Sequence, residues 1–235
     1  MREIVMNGPG KNALGTRMMQ FLLEELDVAG GVPVLLTGAG DSFSAGLDLK
    51  EVLSLDERSA EPFLRLLDRC IGAFYLYPGA TVAAVNGHAI AGGCVLALCC
   101  DHRVATSLPT AKIGINEVAI GLRFPPRVFA VVRSRVPPRH RERVLLGGSL
   151  LCPVDAREMG LIDEVADDPV GLARERLRWL GAHPALGYAQ TKRDLRGTTP
   201  QDLVSDAAVE GWMRESIASW ISSDLKAHVA TVLRR

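Results

Sequence analysis

No run of apolar residues in this chain approaches the ~20 needed to cross a bilayer, and the amino terminus, MREIVMNGPGK, lacks the apolar segment that directs export. An excess of one charge is missing as well. Lysine plus arginine and aspartate plus glutamate number 27 each, so no global field favours nucleic acid or a membrane surface, and recognition falls to local charge. The cysteines form no framework: Cys70, Cys94, Cys99, Cys100 and Cys152 are odd in number, Cys99 and Cys100 are adjacent rather than spaced as CxxC, and four of them lie among apolar residues. A reducing, cytoplasmic compartment is the expectation. There is no GxSxG, HExxH or P-loop and no histidine or cysteine cluster with metal spacing, which removes support for serine-nucleophile, zinc and nucleoside-triphosphate chemistry. The glycine-rich GAGDSFSAG lacks the GxGxxG spacing of a dinucleotide fingerprint.

What is present is an ordinary soluble composition, 48% apolar and 23% charged over 235 residues, enough for one substantial core with a small appendage. Apolar periodicity predicts strands over residues 3–6, 32–37, 81–85, 102–106, 112–115 and 161–165. Between them it predicts helices: one capped by Thr16, one over residues 49–53, one entered at Pro62, one over 94–100, and later ones over 139–146 and 153–159. Alternating strands and helices argue for an α/β fold with parallel strands and right-handed crossovers. A shift in composition at Asp167-Asp168-Pro169 divides a core, residues 1–168, from a helical region, residues 169–235, whose Trp212, Trp220 and Leu225 call for a partner surface.

The chemistry concentrates at TVAAVNGHAIAGGCVLALCCD, residues 81–101, which reads as a buried strand turning into the N-terminus of an apolar helix. The first N–H groups of a helix have no internal partner and sit at the positive end of its dipole, so glycines there admit an anion to the backbone. A second glycine loop, Phe43-Ser44-Ala45-Gly46-Leu47, follows another strand, and in a parallel sheet both loops fall on the same ligand-binding edge. Two N–H groups converging on one oxygen make an oxyanion hole, in which loss of one donor costs ~3 kcal/mol of transition-state stabilisation.

FSAGLDLKEV, AAVNGHAIAGGCVLALCCDHRVA and INEVAIGL, in this order, resemble the crotonase (enoyl-CoA hydratase/isomerase) superfamily from about Asn12 to Val165. The resemblance implies a spiral of ββα units with a C-terminal helical trimerisation region, giving a homotrimer or a dimer of trimers. It implies an acyl-CoA substrate, with coenzyme A part of that substrate and no separate cofactor or metal, and no nucleic-acid or membrane partner. By motif, the oxyanion donors are the N–H groups of Leu47 and Gly92. Ala45, Asp48 and Leu49 offer main-chain groups to the CoA adenine, and Lys50 meets its phosphates. His88, Val95 and Phe124 are expected to line the pocket, although a hydrogen-bonded structural role suits His88 as well.

Hydratases of the family hold water between two glutamates, and here the first position is Val95 while the second is Glu117. A single carboxylate suits moving a double bond from the 3 to the 2 position of an enoyl-CoA, with Glu117 as acid and base in turn. Other enolate chemistry on a CoA thioester (weak hydration, hydrolysis or decarboxylation) or a non-catalytic CoA-binding role stays open. Taken without the motif, Glu117 reads as a solvated loop glutamate and Asp101 as a cap or ion-pair residue at a strand start. Arg123 and Arg127 flank Phe124-Pro125-Pro126 where relatives commonly carry Gly-Gly-Thr, a departure at the acyl pocket or a simple refilling of space. The resemblance also implies a strand ahead of residues 3–6 that this chain lacks. Lys226, His228, Arg234 and Arg235 are either solvated at the helix end or within reach of CoA phosphate.

Overall fold

The computed structural model describes residues 1–234. The chain opens with β1 (Arg2–Met6), a single turn α1 (Pro9–Asn12) and helix α2 (Thr16–Ala29). Next come β2 (Val34–Gly38), β3 (Ser42–Ser44), α3 (Leu49–Ser54) and α4 (Ala60–Tyr75). The pattern repeats with β4 (Thr81–Val85), β5 (His88–Ile90) and α5 (Gly92–Cys99). A third turn supplies β6 (His102–Thr106), β7 (Ile113–Gly114), α6 (Glu117–Ile120) and α7 (Pro126–Arg135). Helices α8 (Arg141–Leu145) and α9 (Pro153–Glu158) lead to β8 (Glu164–Ala166). The rest is helical: α10 (Pro169–Gly181), α11 (Ala185–Arg196), α12 (Pro200–Leu203), α13 (Asp206–Trp220) and α14 (Ser223–Val232).

The pairs β2–β3, β4–β5 and β6–β7 each add one strand to each of two parallel sheets, and β1 and β8 join only the larger. The larger has the order β1-β2-β4-β6-β8 and the smaller β3-β5-β7. Of the short second strands, β7 falls within the predicted 112–115, whereas β3 and β5 have three residues each, too few to show alternation, and periodicity alone misses them. Strands of the larger sheet read as unbroken apolar runs because both faces are covered. Val34, Leu36, Ala83, Val85 and Ala105 point into the main core, whereas Leu35, Val82, Ala84 and Val104 meet Ala173 and Leu177 of α10 on the other face. Helix α10, which follows Asp168, packs directly on the sheet.

Helix α5 is buried on every side, all eight of its residues included. Its last carbonyls are satisfied by arginines from elsewhere: Arg135 donates to Leu98 and Cys100 (2.9 Å each), and Arg196 to Cys99 (3.0 Å). Cations at a helix C-terminus also complement its dipole. All five cysteines are unpaired, and burial pushes the Cys94 thiol up to about 12, keeping it protonated and unreactive.

Three local expectations are corrected. Thr16 is not the cap of α2; Gly15 holds that position, and the Glu51 carboxylate receives the Thr16 N–H (2.9 Å) and hydroxyl, a cap from 35 residues away. The last strand starts at Glu164 rather than at residue 161, because Leu161 still closes α9 through the Ala156 carbonyl, with Gly160 at φ +76°. Trp212 and Trp220 are covered within the chain, where α13 packs on α4 and α7.

Candidate active site

The first glycine loop is held by the segment before it. Ala45 N–H donates to the Lys11 carbonyl (3.0 Å), Leu14 N–H to Gly46 (2.7 Å), and the Ser44 hydroxyl to Asn12 (2.8 Å). The buried Asn12 amide in turn donates to the Ala39 and Ser42 carbonyls (3.0 and 2.8 Å). Gly46 sits at φ +86°, where only glycine is unstrained, and this turn presents the Leu47 N–H.

The second loop meets the first at close range. A methyl group on Gly93 would lie 2.4 Å from the Ser44 carbonyl oxygen, and one on Gly46 would lie 2.6 Å from that of Ile90. At Gly92 the same addition would reach only ordinary contact, 3.7 Å from the Leu47 nitrogen. The two N–H groups named from the motifs are therefore neighbours in space. Neither has a hydrogen-bond acceptor among the described residues. Ala91, which introduces α5, adopts φ +49°, an uncommon conformation for a residue with a side chain and the means by which Gly92 is turned toward the first loop.

Leu47 and Gly92 border a narrow cavity of about 20 Å³ together with Val95, Glu117 and Phe124. Leu67 and Ile71 of α4, Leu122, Arg123, Pro125, Val128 of α7 and Trp220 of α13 complete its wall. Glu117 opens α6 and is the one carboxylate on this wall among the described residues. It is not a solvated loop residue: it is 6% exposed, and its Oε2 has no partner. Burial pushes its carboxyl up to about 8, since an apolar surround disfavours the charged form. Val95, one turn into α5, offers a hydrocarbon surface where a second carboxylate would hold water.

His88 is not among the residues lining the cavity. It begins β5, and its Nδ1 accepts the Lys112 N–H (3.0 Å), so its ring serves the strand pairing. Asp48 caps α3 by accepting from Lys50 and Glu51 N–H groups (2.9 and 3.3 Å), and it borders a separate groove with Ala13, Gly15 and Arg17. Ala45 and Leu49 are half-buried beside it, and Lys50 is exposed. Lys226 and His228 reach neither: Lys226 donates to the Leu55 carbonyl (2.7 Å), and His228 bonds that of Ala119 (2.9 Å), fixing α14 to α3 and α6. Arg235 lies outside the described residues.

Around Phe124 the two arginines part company. Arg127 is buried against Asp68 (2.8 Å) and also pairs with Asp206, tying α7 to α4 and α13. Arg123 stays exposed at the cavity, donates to the Ser216 hydroxyl (2.9 Å) and lies over the Trp212 ring (5.8 Å to its centre). Sequence patterns passed over Leu67, Ile71 and Val128, whose helical stripe reads equally well as core, and Trp220, which lies far beyond the last motif.

Comparison with known proteins agrees with this architecture. The enoyl-CoA hydratase/isomerase family profile matches residues 1–225. Mitochondrial enoyl-CoA delta isomerase 1 of Mus musculus is 31% identical over 185 residues, 77% of this chain, and the match spans 63% of that longer protein, under two thirds. Human mitochondrial enoyl-CoA hydratase domain-containing protein 2 is 31% identical over 233 residues, covering 89% of this chain and 75% of that one. The crystal structure of human mitochondrial delta3-delta2-enoyl-CoA isomerase superposes with a TM-score of 0.84 at 28% identity, covering 99% of this chain and 93% of that chain. The chain belongs to the enoyl-CoA hydratase/isomerase family and has its crotonase fold.

Proposed function

We propose that the protein shifts a double bond from the 3 to the 2 position of an enoyl-CoA. The observation that carries this reading is the composition of the cavity wall: two free N–H donors, one buried carboxylate, and Val95 in place of a second. The thioester carbonyl lies between the Leu47 and Gly92 N–H groups. Ionised Glu117 takes a proton from C2, and the electron pair moves onto the thioester oxygen, where the two donors hold the enolate. Neutral Glu117 then delivers that proton to C4. The C3–C4 double bond is replaced by C2–C3, with no net gain or loss of atoms, and nothing in the cycle requires a cofactor.

Coenzyme A is assigned to the exposed edge around Ala45, Asp48, Leu49 and Lys50, outside the cavity mouth. Trimeric assembly belongs to the same family reading and cytoplasmic residence to the unpaired cysteines; apolar side chains exposed at Trp179, Leu186 and Leu195 support self-association. No helix among the described residues is long and apolar enough to cross a membrane.

The test is turnover of a 3-enoyl-CoA, followed by the absorbance of the conjugated product. Glu117→Gln is expected to lower kcat by about 10²–10⁴-fold, the usual contribution of a positioned acid/base. Full turnover by this variant, or wild-type protein that hydrates a 2-enoyl-CoA faster than it isomerises a 3-enoyl-CoA, overturns the proposal.

A further inference from the structure

The cavity carries more hydrogen-bonding capacity than the proposed reaction uses. Leu47, Gly92 and Glu117 serve the thioester and its α-carbon, and Leu67, Ile71, Val95, Leu122 and Val128 supply hydrocarbon. Two donors remain. Trp220 lines the cavity at 2% exposure, and its indole Nε1–H has no acceptor. A buried N–H left unpaired is costly, and a phenylalanine would cover the same area without that cost. Arg123 is the second. Of its five N–H groups one is engaged, by Ser216, and among the described residues no carboxylate lies within ion-pairing distance.

Both residues line the same cavity. Ser216, which anchors the Arg123 guanidinium, and Trp220 are four residues apart on α13, just over one helical turn and about 6 Å along the axis. A plain alkyl chain leaves the buried Trp220 N–H without an acceptor and makes no use of the Arg123 charge. A carboxylate presents two acceptor oxygens and a negative charge, which suits an indole N–H beside a guanidinium fork.

We propose that the acyl group taken by this cavity ends in a carboxylate, received by the Trp220 N–H and the Arg123 guanidinium. The substrate class is then the mono-CoA thioester of an unsaturated dicarboxylic acid. This rests on the reading of the cavity as the acyl site of an enoyl-CoA enzyme.

The experiment compares kcat/KM for three six-carbon 3-enoyl-CoA thioesters: one ending in a methyl group, one in a free carboxylate, and one in the methyl ester of that carboxylate. The free acid is expected to exceed both others by about tenfold or more, the range of a charge-assisted hydrogen bond. Trp220→Phe and Arg123→Gln are each expected to shrink that ratio at least about fivefold. Equal or poorer turnover of the free acid, an ester that matches it, or a ratio unchanged in both variants overturns the proposal. Calorimetric binding of the saturated pair, adipyl-CoA and hexanoyl-CoA, separates it from the isomerase reading. Tighter binding of adipyl-CoA by a protein inactive on every 3-enoyl-CoA supports the carboxylate site and sinks the isomerase; equal binding by an active isomerase does the reverse.

Discussion

As the proposed base, Glu117 faces opposing demands, because a base must be ionised and its cavity favours the neutral acid. With the carboxyl raised from 4.5 to about 8, the base form dominates only in mildly alkaline solution. The expected kcat/KM for a 3-enoyl-CoA therefore falls about tenfold per pH unit below about 8 and levels off above it, a limb that Glu117→Gln removes. Stability follows the same proton. Between 4.5 and about 8 the folded chain holds a proton that the unfolded chain releases, so the advantage of folding is complete below 4.5 and is lost as pH rises through 8. Denaturant unfolding across that interval is expected to show stability declining with pH in the wild type and a flatter profile in Glu117→Gln. None of this environment is visible from INEVAIGL. The motif marks the residue, but its apolar surround comes from α4, α5, α7 and α13.

At the scale of elements, the site is a contact between two loops that leaves no room at most of its glycines. Gly92 is the exception, since a methyl group there finds only van der Waals contacts at 3.4 Å and beyond, yet lies beside the Leu47 donor. Gly92→Ala is expected to fold with nearly wild-type unfolding behaviour and to lose about 10²-fold in kcat, the scale of one oxyanion donor. Gly46→Ala, by contrast, combines φ +86° with a 2.6 Å approach to the Ile90 carbonyl and is expected to lower stability itself. Thermal unfolding alongside turnover distinguishes the pair; a Gly92→Ala enzyme with unaltered kcat would show that no substrate oxygen sits against the methyl at position 92. These loops were legible in the sequence because glycine placement and strand-to-helix periodicity are local. The clamp on the first loop by residues 11–14 was not, and nor was the Glu51 cap on α2, since each depends on partners brought together only by the spiral.

Over the whole molecule, the helical tail is fastened to the spiral at Asp101. Its carboxylate receives Lys192 (2.9 Å), Arg196 (2.7 Å) and the Tyr188 hydroxyl (2.8 Å) from α11, as well as the Thr81 N–H at the start of β4. These cations hold the Asp101 carboxyl below its ordinary range despite its burial. Asp101→Ala is expected to cost about 3–5 kcal/mol of unfolding free energy, because Lys192 and Arg196 would remain buried without a counter-charge. A loss under about 1 kcal/mol in denaturant titration would mean that α11 is secured by packing instead. The ion-pair reading of Asp101 was available from its place at a strand start, whereas its partners, some 90 residues on, were not. Arg196 does a second task in the same place, since it and Arg135 close the rear of α5. That rod of eight residues, about 12 Å long, is clamped behind and bare in front. Ala91 turns the proposed Gly92 donor, and the two arginines hold the other end of the helix that carries it, so a substitution at Arg135 is expected to alter the speed of the proposed reaction without touching its substrate.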